Sequence, residues 1–447
     1  MDVAAALVII FCSLLFSVYK GINIVYPLFI GLIILATVSM GRGFKPKHIF
    51  HMMVRGGSKS LLIIRIFVLI GAITAVWRAS GTVAFIVYYG IELMNPDYFI
   101  LYAFVLSCIV SFLLGTSFGT IGTVGVVLTI MAKSGNVNIN LTAGAIIAGA
   151  FFGDRCSPMS SSANLVASIT KTDLYINIKN MFKSSAVPLA VSIILYFLLS
   201  KANPLVFHDN NISITIAEVF NIHWTTILPA AAILALAVFK VDVKLSMLIS
   251  IGIAIVLAFV LQGFSIMQIL NYTIFGFSLD STGFFNDIVK GGGILSMMKI
   301  AFIVLISSAY SGIFEETNML KVIQSLLEEI AVRFGIFTAT IFTSIITAAL
   351  GCTQAISILL TNQLIEGIYE KEKRDKQELA LDIEDTSVVL SPLIPWNIAG
   401  AVPAAMLTAT VGFIPYAFYL YLIPVYNLII KGYRKRKAHK NKSHEGV

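Results

Sequence analysis

Phe151-Phe152-Gly153-Asp154-Arg155-Cys156-Ser157-Pro158-Met159-Ser160-Ser161-Ser162-Ala163-Asn164-Leu165-Val166-Ala167-Ser168-Ile169-Thr170 is the stretch whose reading decides the fold. It follows a run of small apolar residues, Ala143 to Ala150, that includes Gly144 and Gly149. A carboxylate, a guanidinium, a proline, four serines and an asparagine then enter what otherwise reads as membrane. In hydrocarbon, unpaired dipoles cost several kcal/mol, so broken helix persists there only where it lines a cavity or packs in protein. Pro158 removes a backbone donor and disfavours helix at Ser157. The freed backbone groups, with Ser157, Ser160, Ser161, Ser162 and Asn164, are what a desolvating ion or small polar solute needs. A second stretch has the same order of acid, Ser-Pro and Asn: Glu384-Asp385-Thr386-Ser387-Val388-Val389-Leu390-Ser391-Pro392-Leu393-Ile394-Pro395-Trp396-Asn397. The two read as halves of one transport site.

Composition agrees with a membrane setting. Of 447 residues, 58% are hydrophobic and only 12% are charged, with a mean hydropathy of +0.91. A soluble domain carries roughly 25% charged residues, so the chain is read as a polytopic membrane protein. Val3–Val18 is apolar, with Asp2 before it and no basic n-region, so a retained membrane helix is expected rather than a cleaved signal peptide. Cys12, Cys108, Cys156 and Cys352 are scattered singly, and free buried thiols are expected. The net charge of +8 is concentrated between Lys431 and Lys442. That tail reads as a cytoplasmic anchor under the positive-inside rule rather than as a nucleic-acid surface. No histidine spacing, nucleophile–base pair or phosphate loop points to an enzyme.

Along the chain, apolar helices are predicted at Val3–Tyr19, Ile22–Met40 and Leu61–Trp77, the last containing Arg65. The connection with Arg42, Lys45, Lys47, Arg55 and Lys59 is expected in the cytoplasm, with His48 and His51 solvated. Thr82–Met94 and Met319–Ile330 are too short for comfortable spans. Phe99–Leu114 runs into the glycine and hydroxyl series Gly115–Gly125, expected to be a break or re-entrant turn. Lys171, Lys179 and Lys183 mark another cytoplasmic loop before a crossing at Ala186–Ser200. Lys201–Trp224 is expected outside, and Gln262–Lys299 is a long glycine-rich connection with Asp280 and Asp287.

The second half then repeats the first. Trp77–Thr82 lies about 237 positions before Ile313–Met319, Leu114-Gly115 lies 236 before Leu350-Gly351, and Ser157-Pro158 lies 234 before Ser391-Pro392. Each basic loop in one half corresponds to a non-basic loop in the other, as inverted topology requires. The expected fold is thus an all-α polytopic membrane protein with two inverted-topology repeats, broken helices, re-entrant hairpins and about 10–12 membrane segments. The expected division is 1–60 (N-terminal helices and cytoplasmic loop), 61–200 (first repeat), 201–299 (linking helices and external loop), 300–430 (second repeat) and 431–447 (basic tail). Both termini are expected in the cytoplasm and the chain in the plasma membrane. Paired broken helices in inverted repeats belong to secondary transporters, whose site lies at the repeat interface. A channel also uses broken helices, but the paired repeats argue for a transporter.

Asp154 is the central candidate, because burial favours the protonated carboxyl and a bound cation favours the ionised one. The alternative is a permanent salt bridge with Arg155 or a partner elsewhere. Asp385 is the second candidate, weighed against a helix N-cap for Thr386 onward. Glu384, nearer the basic loop, is expected to be solvated. Ser391 and Asn397 are the second-half counterparts of the serines and Asn164, with Trp396 read as a partner or as core. Thr116, Ser117, Thr353 and Gln354 line the other pair of breaks. Arg155, Glu315 and Arg78 are candidates for coupling or gating, the last two at corresponding repeat positions; the alternative for Glu315 and Glu316 is a pair of acids at a membrane boundary.

These stretches resemble the NhaC-type sodium/proton antiporter family. The resemblance rests on Gly153-Asp154-Arg155, Ser157-Pro158 and Asn164-Leu165, on Ser80-Gly81-Thr82 with Tyr88-Tyr89-Gly90, and above all on Glu384-Asp385 with Ser391-Pro392-Leu393-Ile394-Pro395-Trp396-Asn397. It covers most of the chain. It implies inverted repeats with a re-entrant hairpin and an interrupted helix in each, and exchange of sodium for protons. Some members exchange organic acids such as malate and lactate with coupled ions. Two departures stand out: Ser161, and the Thr353-Gln354 region, occupy positions where the family commonly has acids. They leave room for an organic acid or amino acid held by hydroxyls and amides. No cofactor or resident metal is expected. The expected partners are the lipid bilayer and a small ion or organic solute, without nucleic acid, and a homodimer is compatible with the fold.

Overall fold

A computed structural model describes every residue except 1–2, 21, 23, 60, 94, 207–216, 240, 242, 279–289, 318, 320–323 and 445–447. The described residues are helical, without a β-strand; one isolated bridge joins Phe277 and Gly291. The first half comprises α1 (Val3–Tyr19), α2 (Val25–Gly41), α3 (Pro46–Lys59), α4 (Leu61–Ala79), α5 (Thr82–Leu93) and α6 (Phe99–Leu114). It continues through α7 (Ser117–Thr120), a π turn (Ile121–Gly125), α8 (Val126–Ser134), α9 (Ile139–Cys156), α10 (Ser161–Thr170) and α11 (Leu174–Ala202). Next come α12 (Leu228–Val238), α13 (Val243–Val260), α14 (Ile266–Phe275), α15 (Met298–Thr317) and α16 (Gln324–Phe334). The chain closes with α17 (Ile336–Gly351), α18 (Gln354–Lys371), α19 (Lys376–Ile383), a second π turn (Glu384–Val388), α20 (Ile398–Met406) and α21 (Phe418–His444).

Among the described residues, three segments are long and apolar enough to cross a bilayer by length and composition: Pro96–Leu114, Leu174–Ala202 and Ile294–Phe314. Lys376–Leu393 and Ile398–Met406 form a fourth if counted as one span bent by 50°. The chain is a multi-pass helical membrane protein.

Side-chain caps set several starts. Asn138 accepts from the amides of Asn140 and Leu141 to begin α9, and Asp173 accepts from Ile176 to begin α11. Asp375 accepts from Gln377 at the start of α19. Such caps satisfy amides that have no partner within the helix.

The helices that carry the site are held by backbone-close packing. A Cβ on Gly149 would stand 2.5 Å from the Phe104 carbonyl, and one on Gly153 would stand 2.2 Å from the Phe112 amide nitrogen. The small-residue face of α9 therefore lets it lie directly on α6, the device that replaces hydrophobic driving force between helices in lipid. Gly56 of α3 meets α15 in the same way, 2.2 Å from the Ser308 carbonyl by that measure.

The structure corrects several sequence expectations. The connection after α2 is largely the helix α3, because Ile49 and Met52 bury one face while Lys47, His48, His51 and Arg55 face outward. Only Gly115 and Thr116 break the glycine series; Gly119, Gly122 and Gly125 lie in helix. There Gly125 lets Ile146 and Leu407 approach within 3.0 and 3.2 Å of where a Cβ would stand. Thr120 and Thr123 satisfy their hydroxyls on carbonyls one turn back, at 2.9 and 2.7 Å. The predicted loop through Lys179 and Lys183 is the first part of α11, and both lysines are exposed on it. Cys12 is exposed rather than buried. Within Gln262–Lys299 the chain forms α14, opened by a Ser265/Gln268 capping box, while Asp280 and Asp287 lie outside the described residues. Parts of Lys201–Trp224 and of Met319–Ile330 also lie outside them.

The two halves keep a uniform register. Leu61 and Met298 begin α4 and α15, Phe99 and Ile336 begin α6 and α17, and Ile139 and Lys376 begin α9 and α19. Each pair is 237 positions apart. The Ser-Pro pairs, 234 apart, are not structural equivalents, because Ser391-Pro392 lies in the last turn of the helical run 376–393 whereas Ser157-Pro158 follows the end of α9; at the offset of 237 Pro158 corresponds to Pro395.

Candidate functional site

Two pairs of helix breaks frame the site. After α6, Gly115 takes the left-handed conformation at φ 66°, and extended Thr116 caps α7 by accepting from the Gly119 amide at 3.3 Å. After α17, Cys352 is left-handed at φ 57°, and extended Thr353 caps α18 by accepting from Ile356 at 3.2 Å. The left-handed residue ends one helix and the hydroxyl cap starts the next, so the helix is interrupted with its terminal polar groups satisfied. Gly115 is required sterically as well, since a Cβ there would meet the Met159 backbone at 2.6 Å.

The second pair interrupts the helices that bear the acids. After α9, Ser157 is extended, and buried Ser160 caps α10 by accepting from Ser162 and Ala163 at 3.1 and 3.3 Å. In the other half, Asn397 caps α20 by accepting from the Ala399 amide at 2.9 Å. Its Nδ2 donates to the Ala348 carbonyl at 2.7 Å, and Trp396 Nε1 donates to Ala349 at 2.7 Å. Ser160 and Asn397 are 237 positions apart, the offset shared by the helix starts, and at that offset Asp154 corresponds to Ser391 rather than to Asp385.

Asp154 lies in the last turn of α9 and is buried. Its Oδ1 accepts from Ser160 Oγ at 3.4 Å, and its Oδ2 accepts from Gln354 Nε2 at 3.2 Å. Gln354 Nε2 also donates to the Val388 carbonyl at 3.2 Å, tying the first-half acid to both broken elements of the second half. Ser162 Oγ donates to the Asp154 carbonyl at 2.8 Å and lies 2.8 Å from Ser160 Oγ. The Ser117 backbone lies beside the same carboxyl. Ser117 and Gln354, 237 positions apart, are each the first helical residue after a break.

Arg155 turns away from Asp154 and pairs with Asp385, with both side chains wholly buried. Its Nε donates to the Glu384 carbonyl at 3.3 Å, its Nη1 to Ser185 Oγ at 2.7 Å and the Met181 carbonyl at 3.2 Å, and its Nη2 to Ser184 Oγ at 2.8 Å. Tyr419 OH lies 3.4 Å from Nη1. Ser184 also donates to Asp385 Oδ1 at 3.0 Å. The expected alternative of an Asp154–Arg155 bridge is therefore overturned. The N-cap reading of Asp385 is overturned too, because α19 is capped ten residues earlier by Asp375 and Asp385 sits inside the π turn. Glu384 is fully buried, not solvated.

The remaining candidates spread out. Ser157 Oγ accepts from the Met159 amide at 3.2 Å, and Ser391 Oγ donates to the Ser387 carbonyl at 2.7 Å. Ser161 is exposed. Asn164 is exposed and donates to the Pro158 and Ser160 carbonyls, at 3.1 and 2.6 Å. Arg78 is buried and donates to the Thr74 carbonyl, sharing no partner with Asp154 or Asp385. The side chain of Glu315 lies outside the described residues, whereas Glu316 faces Arg55 at 3.4 Å and His48 at 3.6 Å. Among the described residues, no three His, Cys, Asp or Glu side chains converge as metal ligands.

Sequence reasoning missed the groups that complete the polar core. Ser184 and Ser185 lie on a stretch read as loop. Asp382, wholly buried, accepts from Tyr369 OH at 2.6 Å and pairs with Lys431. Ser357 and Ser387 share a hydrogen bond of 2.7 Å, and Ser344 donates to Thr386 at 2.8 Å. An i, i+3 spacing of Asp382 and Asp385 on one face of α19 and its π turn was the available signal. A cavity of about 410 Å³ between α2, α3 and α15 lies away from these groups and is lined almost wholly by apolar side chains, so it does not suit an ion.

A profile of the Na+/H+ antiporter family matches residues 1–163 and 149–432. The Malate-2H(+)/Na(+)-lactate antiporter of Bacillus subtilis (strain 168) is 27% identical, over 94% of this chain and 91% of its own. The Na(+)/H(+) antiporter NhaC of Alkalihalophilus pseudofirmus is 29% identical, over 85% of this chain and 84% of its own. The arginine/ornithine antiporter ArcD of Halobacterium salinarum is 25% identical, over 92% and 87% respectively. The chain belongs to the Na+/H+ antiporter family.

Proposed function

We propose that this member of the Na+/H+ antiporter family is a secondary active transporter that exchanges sodium for protons by alternating access. The observation that carries the reading is the Asp154 carboxyl, buried at a helix break and held across the two halves by Gln354. A carboxyl in such surroundings takes either a proton or a cation, which is the exchange the family name describes. Ser160 donates to it from the first half, Ser162 donates to the backbone carbonyl of Asp154, and Ser117 and Gln354 sit at the corresponding starts of α7 and α18. Each charge moved across 100 mV is worth about 2.3 kcal/mol, so a proton gradient of ordinary size can drive sodium outward.

In this reading residues 61–200 and 300–430 are inverted repeats in the plasma membrane, each with a re-entrant hairpin at 114–117 or 351–354 and an interrupted helix. Residues 1–60 and 201–299 flank and link them, and the basic tail 431–447 lies in the cytoplasm with the N-terminus. The uniform register of helix starts supports the duplication, and the alternation of basic loops supports the inversion.

Exchange of an organic acid or amino acid coupled to sodium or protons is the second reading, favoured by the absence of acids at Ser161 and in the Thr353-Gln354 region. The three nitrogens of the Arg155 guanidinium, the cation beside these acids, are already committed to protein partners and so are not open to a carboxylate. That geometry favours the cation reading. The deciding experiment is proton movement in vesicles of purified protein, with sodium, lithium, potassium, small carboxylates and amino acids added singly. A sodium- or lithium-dependent proton signal is expected; silence with every cation and a response to one organic solute would replace this reading with the second.

A further inference from the structure

Glu384 opens the second π turn and is fully buried, yet neither of its carboxyl oxygens has a hydrogen-bond partner among the described residues. The Oδ2 of Asp385, the next residue, is likewise buried and unpartnered. Three carboxyl oxygens on consecutive residues are thus left without donors in the interior. Buried polar atoms are ordinarily bonded, and an exception in a well-packed region calls for an unseen ion or a functional role. A π turn inserts a residue into the helical repeat and re-aims the side chains around it, a feature frequent at functional sites.

The groups around Glu384 sharpen the point. Its charged and titratable neighbours are Asp154, Arg155 and Cys156 at the end of α9, and Asp385 on its own turn. Glu384 thus sits among two other carboxyls and a single guanidinium, which pairs with Asp385 and turns away from Asp154, while Lys431 acts on the Asp385 side. Arg155 gives Nε to the backbone carbonyl of Glu384, not to its carboxyl, and spends Nη1 and Nη2 on α11, Tyr419 and Asp385. The surplus is acceptor and negative, so the complementary ligand is a cation.

We infer that Glu384, with the free oxygen of Asp385, forms a binding site for a monovalent cation, and that Glu384 is its principal ligand. A site with two carboxyls, lacking a third convergent His, Cys, Asp or Glu side chain among the described residues, suits a cation that must be released as well as bound. A cation seated there and a proton on the same carboxyl exclude one another, which is the competition that exchange requires. The identity of the cation rests on the function proposed above; the existence of the site does not.

The test is thermal unfolding of the purified full-length protein in sodium, lithium, potassium or arginine, each against choline at equal ionic strength. A ligand that binds only the folded state raises its unfolding temperature. The wild type is expected to shift with sodium, Glu384→Gln to lose the shift while unfolding in choline at or above the wild-type temperature, and Glu384→Asp to retain part of it. Gln keeps the shape and removes a buried, unpartnered acid, so its folding in choline serves as the internal check. A wild-type shift with arginine alone, lost in Glu384→Gln, would uphold the site and overturn the sodium reading. A Glu384→Gln protein that keeps the full shift, or a wild type that shifts with none of the cations, would overturn the site itself.

Discussion

Arg155 and Asp385, 230 positions apart in the chain, form an ion pair whose side chains are both entirely buried. The pair joins the last turn of α9 to the second π turn, so it fixes one interrupted helix against the other. Arg155 extends the junction to α11 and α21 through Ser184, Ser185 and Tyr419. A buried pair is weak support for stability in itself, but removing one partner strands the other.

Breaking that pair is expected to destabilise more than deleting it. Asp385→Asn and Arg155→Met should each cost about 3–5 kcal/mol, and the double variant Arg155→Met/Asp385→Leu should regain much of the loss. Thermal unfolding in detergent measures this. Single variants as stable as the wild type would show that the pair does not hold the two helices together.

Asp154→Asn is expected to fold, since the amide oxygen can still accept from Ser160 or Gln354. Sodium-dependent proton movement in reconstituted vesicles should be abolished, because the amide neither ionises nor carries a proton. Wild-type exchange with unchanged ion dependence would remove Asp154 from the site.

Gln354→Leu removes the one donor that bridges Asp154 and the Val388 carbonyl. The half-saturating sodium concentration for proton movement should change by about tenfold, close to the value of one hydrogen bond to a charged group. Gln354→Asn, which keeps an amide on a shorter stem, should fall between. Unaltered kinetics in both would mean that the bridge plays no part in cation binding.

Gly149→Ala and Gly153→Ala force a methyl into the backbone of α6, at 2.5 and 2.2 Å from the nearest atoms. Overpacking of this kind costs about 1–3 kcal/mol, and here the neighbour is rigid backbone, so the upper end is expected. Gly252→Ala, inside α13, meets nothing within 4 Å and should be neutral or stabilising by up to about 1 kcal/mol. Folded yield and unfolding temperature compare the three directly. Equal behaviour would contradict the close α6–α9 contact.

Much of the chain was legible without coordinates. Apolar runs of the right length gave α1 and α6 to the residue, and Pro158 and the hydroxyl clusters marked the interruptions where they occur. Local chemistry is sufficient there, because a helix ends where its amides and carbonyls find other partners. Charge on Lys179 and Lys183 misled, since long basic side chains reach outward from a helix as readily as from a loop. The Ser-Pro motifs misled by three positions because Ser391-Pro392 still lies in helical turn, and the break that matches Pro158 comes at Pro395.

The sequence by itself determined that this is a helical membrane protein with paired, interrupted helices carrying acids, because composition and local breaks are properties of short segments. Only the tertiary structure decided how those acids are used. That Arg155 serves Asp385 and not its neighbour Asp154, that Gln354 reaches Asp154 from the other half, and that Glu384 is buried all depend on which helices meet. Side chains adjacent in sequence point in different directions around a helix, so their partners are set by packing over hundreds of residues, which no local pattern records.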